Sequence, residues 1–522
     1  MLKKLIFNNS LHIIIIIFFS FFINYHYGNI GVYPLDTFAF LDTSYNILIG
    51  NEPFRDFWVT TGPFVDYLQA IFFKLFGIKW LSFVIHASFV NTVVSISFYL
   101  LLRHLNLDRF ESLFYTMMFS LLCYTISGTP FAYLHSYTLS LISIIFLIYF
   151  LNTNSNVVLF FLPTLMLLSF ISMQNPSTFI NLIILFFLAF YFFENKNKNF
   201  LYFITGSVFS ISMLIFFVVW RDLPVTSIIN QYFLFPISMG ENRLTGNELS
   251  HISLLDNLTI RGFLGHFKFL HLTLLSIICV ATFLYLKKTI KKNEFYIYLL
   301  IGISGYFLIL NQLITSNQTY IFSYIPFAAA FLHILYLKII SKKKLLIFFL
   351  PIVLVISAKY HFEYNQKRKF HDLQNVNLKE YVPASKIDKK FQGLKWISTN
   401  FPLNPDEEIK LIKDIASIIK NDKKNKMIIT EYQFFTFLLE ENLNILNRWY
   451  THDNNSYPLK NHKLFETYKI FFNKKLNDKK IEIVYTIGHP NFEDFLIYNE
   501  NLCFDKKIVN KISSAYQLKK CN

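Results

Sequence analysis

Long apolar stretches interrupted by short polar ones dominate the first two thirds of the chain. Windows of about 19 residues place them at 7–24, 82–102, 111–127, 133–151, 157–173, 177–193, 200–220, 269–286, 295–313, 320–338 and 344–358. A helix needs about 20 apolar residues to cross a bilayer. The pattern therefore predicts a polytopic α-helical membrane protein with about 11 spans, in which two longer polar segments, 25–80 and 221–268, form the large loops. After Ala358 the pattern changes. Ile409, Ile412, Ile415 and Ile419 recur on one face of a helix over 407–420, and Met427–Thr430 and Ile481–Ile487 read as strands. Phe434–Leu439 and Leu464–Phe472 continue the alternation. The expected organisation is a transmembrane domain, 1–358, followed by a small α/β domain, 359–522.

Loop charge orients these spans. Loops on the side of the N-terminus hold Lys3, Lys4, Arg103, Arg109, Lys196 and Lys198, then Lys287, Lys288, Lys291, Lys292, Lys338, Lys342, Lys343 and Lys344. The opposite loops are much longer and hold half as many cations, so the positive-inside rule puts the N-terminus in the cytoplasm. An odd number of spans then puts the C-terminal domain outside, on the periplasmic side of a plasma membrane. Residues 1–24 have a basic start and an apolar stretch but no small-residue cleavage site, so a retained first helix is expected. In an exterior domain Cys503 and Cys521 are expected to form a disulfide closing the last strands.

Composition supports a membrane protein, with 54% hydrophobic and 16% charged residues against about 25% charged in soluble chains. An ordinary soluble enzyme is excluded. The net charge of +16 divides evenly at Ala358, 8 on each side. It rests on 41 lysines against 8 arginines in a chain with 62 phenylalanines, the bias of an AT-rich genome. No nucleic-acid partner is implied, and membrane lipids are the expected surroundings. The few arginines carry more information than the many lysines.

Acidic residues gather in the first long loop, which holds Asp36, Asp42, Glu52, Asp56 and Asp66. Apolar spacing from Leu35 to Ile49 predicts an amphipathic helix at the bilayer surface, ended by Gly50. Asp36 stands at its start, behind Pro34. Capping of the helix and catalysis are both open to that carboxylate. Further on the loop reads Gly50, Glu52, Pro53, Phe54, Arg55, Asp56, Phe57, then Gly62, Pro63 and finally Leu75, Phe76, Gly77. In these residues, over about fifty positions, the chain resembles the bacterial GT-C class of integral-membrane glycosyltransferases, kin of the protein O-mannosyltransferases and the lipid A aminoarabinose transferases. The number of spans, the outward loops and the exterior C-terminal domain are similar too.

The resemblance implies transfer of a sugar from a polyprenyl-phosphate donor to a glycan, lipid or protein acceptor on the exterior face, with Asp36 as general base. Many relatives place a second acid beside the leading aspartate. Here Thr37 follows, so Asp42 is the candidate second acid. No cofactor is expected to be required, and no ligand set for a divalent metal can be read from the sequence. A departing phosphate needs cations. Arg243, Arg261 and Arg221 in the second long loop have the planar, bidentate chemistry for it, although pairing with Asp222, Glu241, Glu248 or Asp256 would use them structurally. Arg55 and Asp56 read as a pair shaping the first loop. His86, Asn91, His135, Gln174, Asn175, Asn311 and Gln312 are polar residues at span edges, suited to an acceptor path or to packing. The tail offers no phosphate loop or nucleophile motif, and Gly488-His489-Pro490 reads as a turn. Two other functions use the same lipid-linked substrates: a transporter or flippase of lipid-linked sugars, and an exterior polysaccharide polymerase or ligase. A transporter is expected to carry mid-membrane charges and related halves, which this sequence does not display.

Overall fold

A computed structural model describes residues 7, 9–195, 199–245, 254–315, 320–451, 455–519 and 521. Lys3, Lys4, Lys196, Lys198 and Glu248 lie outside the described residues. Every apolar segment contains a helix: Ser10–Gly28, Trp80–His104, Arg109–Leu122, Ala132–Thr153, Asn156–Ser172, Gln174–Asn195, Phe200–Trp220, Lys268–Leu286, Lys292–Thr315, Tyr324–Tyr336 and Lys342–Tyr360. Among the described residues, 8 helices are long and apolar enough to cross a membrane, and Asn156–Ser172 and Tyr324–Tyr336 are shorter apolar ones. Arg109–Leu122 is opened by a capping box, Asp108 accepting from the backbone while Glu111 reaches back. The protein is a polytopic, helical, integral membrane protein.

The chain divides into two compact units. The first comprises Met1–Gly28, Val84–Phe216 and Leu254–Phe370. Its interior is a continuous apolar core, crossed by hydrogen bonds from buried polar side chains. His86 Nε2 meets His135 Nε2 at 2.9 Å, Tyr133 donates to Asn311, and Asn91 donates to the carbonyls of Ser20 and Ser120. Gly28 and Gly128 bring their backbones together. A Cβ on Gly28 would lie 2.4 Å from the Gly128 carbonyl oxygen. Buried Arg368 donates to the carbonyls of Thr125, Ile126 and Ser127, holding the turn that follows Arg109–Leu122.

The second unit joins the first long loop and part of the second to the tail: Asn29–Phe83, Phe217–Ser253 and His371–Asn522. Strands β1 (Val382–Pro383) and β2 (Lys395–Trp396) pair antiparallel. Strands β3 (Lys426–Thr430), β4 (Ile483–Ile487), β5 (Cys503–Asn510) and β6 (Ser513–Lys519) form a mixed sheet in the order β3-β4-β6-β5. β3 and β4 are parallel, with Ile428 opposite Tyr485, and both are buried throughout, as their mainly apolar sequences suit. The helix Pro405–Asn421 has Asn404 accepting from the Glu407 N–H at its start and buries the four predicted isoleucines. Cys503 and Cys521 are disulfide-bonded across 18 positions.

The first-loop helix differs from its expectation. It breaks into Pro34–Thr37 and Ala39–Leu48 at Phe38. Ala39 to Ile47 are all buried rather than lying half-immersed at a bilayer surface. Phe38 is the reason. It packs on Trp396 with ring centroids 5.5 Å apart and on Phe434 at 4.8 Å, so aromatic partners from the tail replace lipid. Gly50 ends the second piece at φ 95°.

Candidate active site

The chain enters the first loop pinned to the tail. Gly31 N–H donates to Lys395 O and Val32 N–H to Ile397 O, both at 2.9 Å. Pro34, with φ preset for a helix, then opens the turn that carries Asp36. The Tyr33 N–H donates to Thr37 Oγ1 at 2.9 Å. Thr37 thus serves the turn's start, and the Asp36 carboxylate caps nothing.

The five acids of the loop have different surroundings. Asp56 pairs with Arg55 at 2.9 Å and accepts from the Glu52 N–H at 2.8 Å. Arg55 also donates to the Arg221 carbonyl. Glu52 is ion-paired with Arg221 and accepts from Tyr67 at 2.5 Å. Asp66 pairs with Arg448, both fully buried, and accepts from Thr43 at 2.5 Å. Asp42 is 1% exposed and accepts from the Phe437 N–H at 2.9 Å. Burial raises its pKa to about 6, opposed by that N–H.

Asp36 is the exception. It is only partly buried, and among the described residues no Lys or Arg pairs with it. Its pKa is raised to about 6, chiefly by loss of water and then by nearby Asp372, with Trp449 opposing the rise. The Trp449 indole nitrogen is itself buried. Burial, Asp36, Asp372 and Glu431 together push the Tyr33 hydroxyl up to about 12. The site is thus an acidic neighbourhood around one carboxylate that is accessible and close to neutral in pKa, the condition for a general base near physiological pH.

The candidate phosphate ligands have different local surroundings. Arg221 stands at the end of Phe200–Trp220, tied to Glu52. Arg243, on the helix Phe235–Thr245, donates to Asn455 Oδ1 at 3.0 Å, while Glu241 pairs with Lys463. Arg261 is exposed on the turn Ile260–Gly265 of the first unit. Among the described residues no group of three or more His, Cys, Asp or Glu side chains is placed to hold a metal ion.

Sequence reasoning assigned nothing in the tail to this site. The structure adds Trp449 and Asp372, which act on Asp36, and Arg448, which stacks on Phe40 at 4.7 Å and on Trp449 at 5.6 Å. The segment Asn447-Arg448-Trp449-Tyr450 gave one signal: an arginine beside a tryptophan in a chain that otherwise prefers lysine.

No protein-family model matches the chain, nor does any curated protein in sequence. A solved structure does: ArnT from Cupriavidus metallidurans, bound to undecaprenyl phosphate. It superimposes with a TM-score of 0.50 at 10% identity, covering 97% of each chain. The likeness spans nearly the whole of both chains, so the chain has the same fold as ArnT.

Proposed function

We propose that the protein is a glycosyltransferase that moves a sugar from a polyprenyl-phosphate donor to a hydroxyl-bearing acceptor on the exterior face of the membrane. The observation that carries this reading is Asp36: alone among the first-loop acids, it is partly exposed and has neither a cation nor a backbone N–H to hold it among the described residues. Its carboxylate takes the proton from the acceptor hydroxyl as the oxygen attacks the anomeric carbon. The bond from that carbon to the phosphate oxygen breaks, and the polyprenyl phosphate leaves with the electron pair. Removing the proton as the new bond forms avoids an oxonium intermediate.

Charge gathering on the phosphate needs cations. Arg243 and Arg261 are the proposed ligands, with Arg221 at the membrane edge. The undecaprenyl phosphate held by ArnT is of the proposed donor's chemical type, and the shared fold supports a lipid phosphate here as well. The experiment is transfer from a polyprenyl-phosphate sugar in reconstituted membranes. Asp36→Asn keeps the volume and removes the base, so transfer should cease while donor binding persists. An active Asp36→Asn protein would sink the assignment.

A further inference from the structure

A cleft of about 300 Å³ opens in the second unit, with Leu35, the neighbour of Asp36, on its wall. That is the lower end of small-molecule sites, a size for one sugar ring. Buried aromatic side chains form part of its wall. Tyr450, Tyr457 and Phe495 line it, with Phe495 5.1 Å from Tyr457 and 6.3 Å from Tyr450 between ring centroids. Polar Glu431, His489, Asn491 and Asp494 also line it, and among the described residues no Lys or Arg does.

This polar lining is built rather than incidental. Glu431 accepts from Asn400 at 2.9 Å and pairs with His489 at 2.7 Å, which fixes its carboxylate although it lies in a loop after β3. The turn Gly488-His489-Pro490 makes this possible. Gly488 has φ 85°, and a Cβ there would lie 2.6 Å from the Glu431 side chain. Asp494, by contrast, has no side-chain partner among the described residues and is partly exposed.

Carboxylates accept hydrogen bonds from hydroxyl groups, and an apolar wall suits the C–H groups of a sugar ring. The same carboxylates repel anions: Glu431 and Asp494 line the cleft, and Asp36 lies next to Leu35. We propose that the cleft is a sugar subsite for the acceptor, taking a hydroxyl-rich, unphosphorylated ring and presenting a hydroxyl towards Asp36. Its role in transfer rests on the reading of Asp36 above; its capacity to bind sugar does not.

Saturation-transfer NMR on the full-length protein in nanodiscs tests it, with glucose, galactose, mannose, N-acetylglucosamine and glucosamine as probes and glucose 1-phosphate as the anionic counterpart. At least one unphosphorylated sugar should receive saturation. Glu431→Gln and Asp494→Asn should each weaken that sugar's binding by roughly tenfold, the worth of a hydrogen bond to a charged group. His489 is 79% exposed in its side chain, so His489→Ala should also weaken binding with no threat to folding. Glucose 1-phosphate should bind more weakly than glucose. The proposal is overturned if none of the five sugars binds, if these variants bind as the wild type does, or if the phosphate ester binds as well as glucose. Asp36→Asn separates the two readings. Sugar binding retained with transfer lost supports both, whereas transfer retained removes the base and leaves the subsite standing.

Discussion

Arg448→Ala should be among the most damaging single changes in the second unit, and the structure sets the size of the effect. The guanidinium is 1% exposed and the Asp66 carboxylate 0%. It donates to the Asp66 carboxylate and to Thr61 Oγ1 at 2.5 Å, and stacks on Phe40 and Trp449. Alanine leaves Asp66 buried with Thr43 as its side-chain donor. An uncompensated buried charge costs about 3–5 kcal/mol. For a unit in the size range of about 150–250 residues, each kcal/mol moves Tm by roughly 2–4 °C, so a fall of roughly 6–20 °C is expected. Thermal unfolding in detergent, followed by tryptophan fluorescence, reads it. Removing both charges, as Arg448→Met with Asp66→Leu, should restore most of the loss, because a buried pair gains little over apolar side chains of similar volume. Arg448→Lys should recover only part, since an ammonium cannot reach Asp66 and Thr61 with a planar fork. The reasoning fails if Arg448→Ala lowers Tm by no more than the double variant does. Because Arg448 also positions Trp449, its loss should reduce transfer in the protein that remains folded.

Transfer should have an acid limb with its midpoint near pH 6, since only the Asp36 carboxylate is a base and its pKa is raised to about 6. Below that the rate should fall about tenfold per pH unit. The stability contribution has the opposite sign: with the folded pKa raised, Asp36 favours the folded state below the ordinary carboxylate range, and that contribution disappears as pH rises through about 6. Pulse unfolding across this range checks it. Gly28→Ala should destabilise the first unit by several kcal/mol, because the added Cβ meets the Gly128 carbonyl at 2.4 Å and backbone cannot move aside as a side chain can; yield and Tm in detergent measure it. Opening the disulfide with Cys503→Ser and Cys521→Ser should cost about 3 kcal/mol for a loop of this length, seen as a lower denaturation midpoint. Arg221→Ala strands Glu52, whose side chain is 4% exposed, and should cost about 1–3 kcal/mol in the same assay.

The membrane helices were legible because a bilayer tolerates only long apolar helical runs, so the sequence of each segment shows its state without reference to any other. The same holds for β3 and β4, buried on both faces, and for the isoleucine stripe of Pro405–Asn421. What could not be read depends on pairing across the chain. Asp66 and Arg448 are 382 positions apart, and Asp42 and Phe437 are 395 apart. Nothing local to Phe38 announces Trp396 and Phe434, which break the predicted amphipathic helix and bury it. Asp36 was found because it leads a recognisable loop. Trp449, Asp372 and Glu431 were not, because their bearing on that loop comes only from the tail folding back on it.

Native mass spectrometry of the detergent-purified protein, wild type beside Asp36→Asn, tests the central claim most directly. Asp36→Asn should retain a bound polyprenyl phosphate that still carries its sugar, the added mass naming that sugar, while the wild type should carry the discharged lipid phosphate. If neither protein holds a polyprenyl phosphate, or if the Asp36→Asn protein discharges the sugar as the wild type does, the account of Asp36 as the base of a lipid-linked glycosyl transfer is contradicted.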